Sequence, residues 1–129
     1  MWRAVLAVCI GGTAGCLLRW ALAVGLKDIS PVMPLGTLAA NLIGGYIVGV
    51  AVAFFELNSS IAPEWRLLVI TGFCGGLTTF SSFSAEVVVM LREDRWMWAC
   101  STVALHLFGS LLMTFAGMAT VAGLKHSAS

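Results

Sequence analysis

Between Gly72 and Glu86 the chain sets a glycine pair, Gly75 and Gly76, ahead of five hydroxyl side chains in seven positions: Thr78, Thr79, Ser81, Ser82 and Ser84. Phe80 and Phe83 stand among them. The whole motif lies within residues 67–91, a stretch long enough to cross a bilayer. Inside hydrocarbon every backbone N–H and C=O must find a partner within the protein, so irregular backbone is tolerated there only when it is buried or lines a polar cavity. The motif therefore marks a place that handles an ion or a polar solute. A helix broken over Gly75–Thr78 frees carbonyls from one half and aims N–H groups from the other. Free carbonyls are cation ligands, and two such turns on a symmetry axis would supply about four oxygens. A β-branched residue at Gly75 is expected to strain the turn. Phe80 and Phe83, three residues apart, share a face beside the hydroxyls. They are either core packing or rings whose electropositive edges meet a small anion.

Other polar side chains fall on regular helix spacings. Thr102, His106, Ser110 and Thr114 form an unbroken i, i+4 row, which stacks along one helix face. Any one of them could bond its own helix carbonyls or join two helices, but four in register read as a polar seam or pore lining. Asn41 brings an amide with two donor hydrogens and one acceptor oxygen to the middle of a second apolar stretch. Gly45 and Gly49, like Gly11 and Gly15, have the small-xxx-small spacing that permits close helix approach. Two charges lie inside apolar stretches. Arg19 either snorkels to the surface or draws anions into a vestibule. Glu86 either pairs with Arg19 or a linker arginine, or binds a cation at a pore mouth. No second intramembrane acid is available for a proton relay.

The elements that hold these groups follow from composition. The 129 residues are 60% hydrophobic and 10% charged, against about 25% charged in soluble domains. The mean hydropathy is +0.99. A crossing helix needs about 20 apolar residues. Four segments qualify, at approximately 4–25, 35–55, 67–91 and 97–124, and the linkers between them leave no room for a soluble domain. Residues 1–129 thus read as one all-α integral membrane domain of four transmembrane helices with a broken third helix. The net charge of +1 argues against a nucleic-acid partner, and Cys9, Cys16, Cys74 and Cys100 show no metal-ligand spacing. They read as small buried hydrophobes. Thr13-Ala14-Gly15-Cys16 faintly resembles a lipoprotein cleavage box, but the apolar pattern runs on past it, so the first span is taken as structure.

Lysine and arginine counts in short loops set orientation. Four spans put Arg3, Arg66 and Lys125 on one side and Lys27, Arg92 and Arg95 on the other. The tie predicts insertion both ways round, and an antiparallel two-fold homodimer is the simplest closed assembly of the two forms.

The motifs Gly11-Gly12-x-x-Gly15-x-x-x-Arg19-Trp20, Gly36-Thr37-Leu38-x-x-Asn41-x-x-Gly44, the long third-span motif from Gly72 to Glu86, and Gly109-Ser110-x-x-x-Thr114 together resemble the small fluoride channels of the Fluc (CrcB) family. The resemblance covers nearly the whole chain. It implies a dual-topology homodimer with two antiparallel fluoride pores, passively exporting cytoplasmic fluoride. Asn41, Phe80 and Phe83 would line each pore, with Ser110 and Thr114 on a polar track. A structural sodium ion (Na+) on the two-fold axis would be held by the Gly75 and Thr78 carbonyls of both subunits. Arg19 and Glu86 would sit near vestibules, and Ser81, Ser84 and His106 would extend the vestibule or track. The expected location is the cell membrane, as a multi-pass protein among lipid, and the inner membrane in a Gram-negative source.

Two other classes fit less well. A small multidrug exporter needs an acid in its first span, where this chain has Arg19. A bis-histidine haem anchor would need a partner for His106, and the only other histidine, His126, is in the tail.

Overall fold

Long apolar runs with no competing turn chemistry form helices, because only an intrasegment ladder satisfies the backbone in lipid. The computed structural model describes residues 1–129 and contains helices and no strands. α1 (Trp2–Leu26) and α2 (Leu35–Leu57) are continuous, α1 running straight through Cys16. The third span opens with α3 (Pro63–Arg66), where Pro63 occupies the start and Glu64 the first turn, both favourable at a helix N-terminus. It continues as a π-helical stretch, Leu67–Cys74, and a last α-turn, α4 (Gly75–Leu77). After the break comes α5 (Phe80–Arg92), then a turn with Asp94 at φ 59, then α6 (Trp96–Ala128). These helices run past the segments at 4–25, 35–55, 67–91 and 97–124, since a helix can continue beyond the apolar stretch. Four helical units, the third formed by Pro63–Arg92, are long and apolar enough to cross a membrane.

The break differs from the sequence expectation. Gly75 and Gly76 are helical, with Gly75 at φ −63 and ψ −38. The extended residues are Thr78 (φ −81, ψ 155) and Thr79 (φ −152, ψ 119). Gly75 therefore needs no glycine-only backbone angle, and the expected strain from a β-branched substituent has no basis within the subunit. What stops the first half is side-chain chemistry. The Thr79 hydroxyl accepts the Ser82 N–H at 3.1 Å, a cap that starts α5.

Gly76 serves packing instead: a Cβ there would come within 2.5 Å of the Gly12 carbonyl. Gly11 and Gly15 likewise seat α1 against the π stretch, where added Cβ atoms would meet the Leu68 and Phe73 carbonyls at 2.1 and 2.2 Å. Gly49 and Gly117 do the same between α2 and α6, the most extensive helix pair. Both small-xxx-small readings hold. Only 19 residues are buried while large apolar side chains point outward along every span, an arrangement suited to lipid.

The α2–α6 seam makes a test. Gly49→Ala drives a Cβ to 2.2 Å from the Thr114 carbonyl, and overpacking of this kind costs about 1–3 kcal/mol. The variant is expected to melt several degrees lower in detergent. An unchanged melting temperature would show that the seam yields freely.

Candidate ion pathway

The two halves of the third span are tied to α2 and α6 by one side chain. Asn41, in mid-α2, accepts the Thr79 N–H on its Oδ1 at 2.8 Å and donates from Nδ2 to the Thr79 carbonyl at 3.1 Å. The amide thus takes the place of a neighbouring peptide and satisfies both backbone groups of a residue that neither half-helix can serve. The same Nδ2 lies 3.0 Å from Nδ1 of His106 on α6. His106 is 5% exposed, and its ring stacks on Phe83 with centroids 4.6 Å apart and planes 32° apart. Phe83 in turn meets Phe80 edge-on at 5.5 Å.

Along this junction runs a groove of about 480 Å³. The structure brings Asn41, Phe80, Phe83, His106, Ser110 and Thr114 to its walls, together with Gly75 and Thr78. The polar row on α6 divides. His106, Ser110 and Thr114 line the groove, whereas Thr102 is fully buried and donates to the Met90 sulfur at 3.5 Å. The Thr114 hydroxyl lies 3.0 Å from both the Gly45 and Ser110 carbonyls. Phe80 is 79% exposed, standing out from the subunit at the groove's rim.

The remaining candidates lie elsewhere. Ser81 and Ser84 are exposed on α5 outside the groove, Ser81 3.3 Å from the Thr79 hydroxyl. Arg19 donates from Nε to the Gly76 carbonyl at 3.1 Å, so its charge sits at the C-terminal end of the first half, where a helix favours a cation. Glu86 pairs with neither Arg19 nor a linker arginine. Its Oε1 accepts the Thr37 hydroxyl, and its buried Oε2 has no partner. The sole ion pair, Arg95 with Glu93 at 3.4 Å, is on the surface.

Two participants had no role assigned from the sequence, although Thr79 stands in its hydroxyl run and Thr37 in its second-span motif. Thr79 had a local signal, a threonine three residues before the N–H that it caps. Thr37 had none, because its partner is 49 residues away.

A family model described as "CrcB-like protein, Camphor Resistance (CrcB)" matches residues 6–118. The chain belongs to this CrcB family. The matched stretch contains every groove residue from Asn41 to Thr114. Among CrcB relatives, a fluoride-specific ion channel FluC of Nitrosomonas europaea is 57% identical over 127 residues, covering 98% of this chain and 100% of that protein. Proteins of the same name from Pseudomonas putida and Chromobacterium violaceum are each 58% identical over 120 residues, covering 93% of this chain and 94% and 95% of theirs. These CrcB proteins are named as channels, not as enzymes.

Proposed function

We propose that this protein is a fluoride channel that passively exports cytoplasmic fluoride as an antiparallel homodimer with two pores. The observation that carries the reading is the groove itself. It joins an amide, an imidazole, four hydroxyls and two phenyl rings along one path, in a chain whose relatives are named for fluoride. Fluoride is small and strongly hydrated, so a path must offer close donors in place of water. No lysine or arginine lies among the groove's residues, and a path without a fixed cation can release what it binds, as conduction requires. An inside-negative potential favours anion exit by about 2.3 kcal/mol per charge per 100 mV.

The dimer reading rests on the tied basic count and on the exposed Phe80 and Gly75 beside the groove. A Cβ on Gly75 would meet nothing closer than the Ile70 carbonyl at 3.9 Å, so the subunit alone gives no packing reason for a glycine there. A sodium ion on the two-fold axis fits the same surface. The Thr78 carbonyl lies outside both half-helices, and no hydrogen bond from the chain ends on it. With the Gly75 carbonyl and their symmetry mates it would supply a hard-oxygen site, and the cation would offset carbonyl dipoles gathered at the axis. The location proposed is the cell membrane, the inner one in a Gram-negative source.

Liposomes loaded with fluoride and carrying the purified protein are expected to release it rapidly once potassium is shunted, while chloride-loaded liposomes hold their contents. Comparable release of both ions would overturn the selectivity, and retention of fluoride would overturn the function.

Orientation has its own test. Two lysines added to the C-terminal tail break the three-against-three tie and are expected to make insertion uniform. Fluoride resistance in cells should then vanish, and return when an oppositely biased copy is co-expressed. Tail labelling of the unaltered protein from one side only would sink dual topology.

A further inference from the structure

A second groove, of about 470 Å³, lies between α2 and the first half of the third span. It shares no residue with the ion groove. On α2, Asn41, Gly44 and Val48 line the ion groove, whereas Ile47, Ala51 and Phe54 line this one. Successive helix residues stand about 100° apart, so the two grooves open on different sides of the subunit. α2 supplies one wall from Ile47 to Phe55, the linker supplies Ile61, and the third span supplies Trp65 and Val69. Every lining residue is hydrophobic. α2 and the third span meet tightly at Gly44, where a Cβ would collide with the Thr78 methyl. From Ile47 toward the linker the gap between them stays open.

The length of the groove matches one leaflet of a bilayer. Ile47 to Phe55 spans about 12 Å at about 1.5 Å per residue. From Ile47 to the end of α2 at Leu57 is about 15 Å, half of a hydrocarbon core about 30 Å thick. The groove therefore runs from one membrane face to the middle of the membrane. Its outer end carries Trp65, 59% exposed, a ring of the kind that settles at headgroup level. The groove is continuous with the outward apolar surface to which the exposed Phe54, Leu57 and Trp65 belong, and in a four-span membrane protein that surface meets lipid. Water does not fill an apolar cavity, and an empty one forfeits the contacts of its lining.

We propose that this groove seats one acyl chain of a bilayer phospholipid, which enters from the leaflet beside residues 58–62. The chain lies between two elements that the Asn41–Thr79 hydrogen bonds tie together nearer the break, and fills the wedge where they part. Glu56, Glu64 and Arg66 adjoin the outer end in sequence. Two acids and one base favour no headgroup charge, so selection falls on the hydrocarbon chain. The site is independent of which ion the protein conducts.

The probe is a phosphatidylcholine with a photoreactive diazirine near the end of one acyl chain, mixed into liposomes that carry the intact protein. Adducts are mapped by mass spectrometry. Leu112 is the reference. It is 68% exposed on α6 and stands between Ser110 and Thr114, which lie opposite Gly45 and Gly49, so it shares the depth of Ile47. Ile47 is expected to be labelled at least about fivefold more heavily than Leu112, the fold-change that a preference of about 1 kcal/mol produces. Equal labelling would make the groove ordinary lipid-facing surface and overturn the proposal. Weaker labelling at Ile47 would mean that a second copy of the chain covers the groove, and would overturn it equally. Val69→Phe sets a larger ring into the groove and is expected to remove the excess at Ile47 while Leu112 keeps its label. An excess that survives in the folded variant would overturn the groove as its source, and the unaltered protein decides the matter even if that variant fails to fold.

Discussion

Asn41→Asp is expected to lower fluoride efflux at least about 100-fold while the protein still elutes at its native size. A carboxylate can still accept the Thr79 N–H, but it has no hydrogen for the Thr79 carbonyl or for His106 Nδ1, the two groups that Asn41 now serves. It also puts a negative charge on the wall of an anion path. Two unit charges about 4 Å apart repel by about 4 kcal/mol at an effective dielectric constant near 20. Each 1.4 kcal/mol is about tenfold in occupancy, so repulsion alone accounts for the predicted fall. Flux is read with a fluoride electrode on liposomes, and fold by size exclusion and melting. Normal efflux from a well-folded Asn41→Asp protein would show that the ion travels by another route.

Phe80→Ile separates function from stability even more sharply. The ring is 79% exposed on the subunit and isoleucine keeps most of its bulk where the partner would cover it, so stability should fall by less than about 1.5 kcal/mol, as for volume-conserving apolar swaps. Isoleucine keeps bulk but has no electropositive edge to turn toward an anion. Fluoride flux is expected to fall roughly 100-fold, equivalent to about 2.8 kcal/mol, with only a modest fall in melting temperature. Phe83→Ile should block flux as strongly and also melt lower, because Phe83 carries the stack on His106. Wild-type flux through Phe80→Ile would remove the ring edge from the mechanism.

How far the sequence alone could reach depended on the range of each interaction. Four spans and the broken third helix were legible because hydropathy and helix-breaking chemistry are local. The alternation of phenylalanine and hydroxyl residues marked the groove for the same reason. The break was placed over Gly75–Thr78, and it falls at the end of that stretch, on Thr78 and Thr79, with Gly75 and Gly76 helical. Glycine signals both a bent backbone and a close contact, and only the neighbouring α1 carbonyls reveal which applies at Gly76. The partners of Arg19 and Glu86 were likewise beyond reach. Charge complementarity suggested that they pair, yet each is held by a neutral group brought near by tertiary packing, the Gly76 carbonyl and the Thr37 hydroxyl. His106 drew notice as a member of a row. Its contacts with the Asn41 amide and the Phe83 ring became visible only in the folded chain.

The π-helical stretch Leu67–Cys74 has a consequence for how this chain tolerates insertions and deletions. Such a widened turn is what an α-helix becomes when it accommodates a surplus residue without changing its ends. Rewinding all eight residues as an α-helix would turn everything beyond them by about 100°, the advance of one residue in an α-helix, whereas removing one residue at the same time would cancel that turn. Gly72 and Gly76 mesh with α1 on one side, while Thr79 must meet Asn41 on the other. With the stretch rewound and no residue removed, the chain could satisfy either bearing but not both. The π stretch is thus a phase adjuster between α1 and the groove, and a single-residue deletion within it, rewound to α, is the length change this span can absorb.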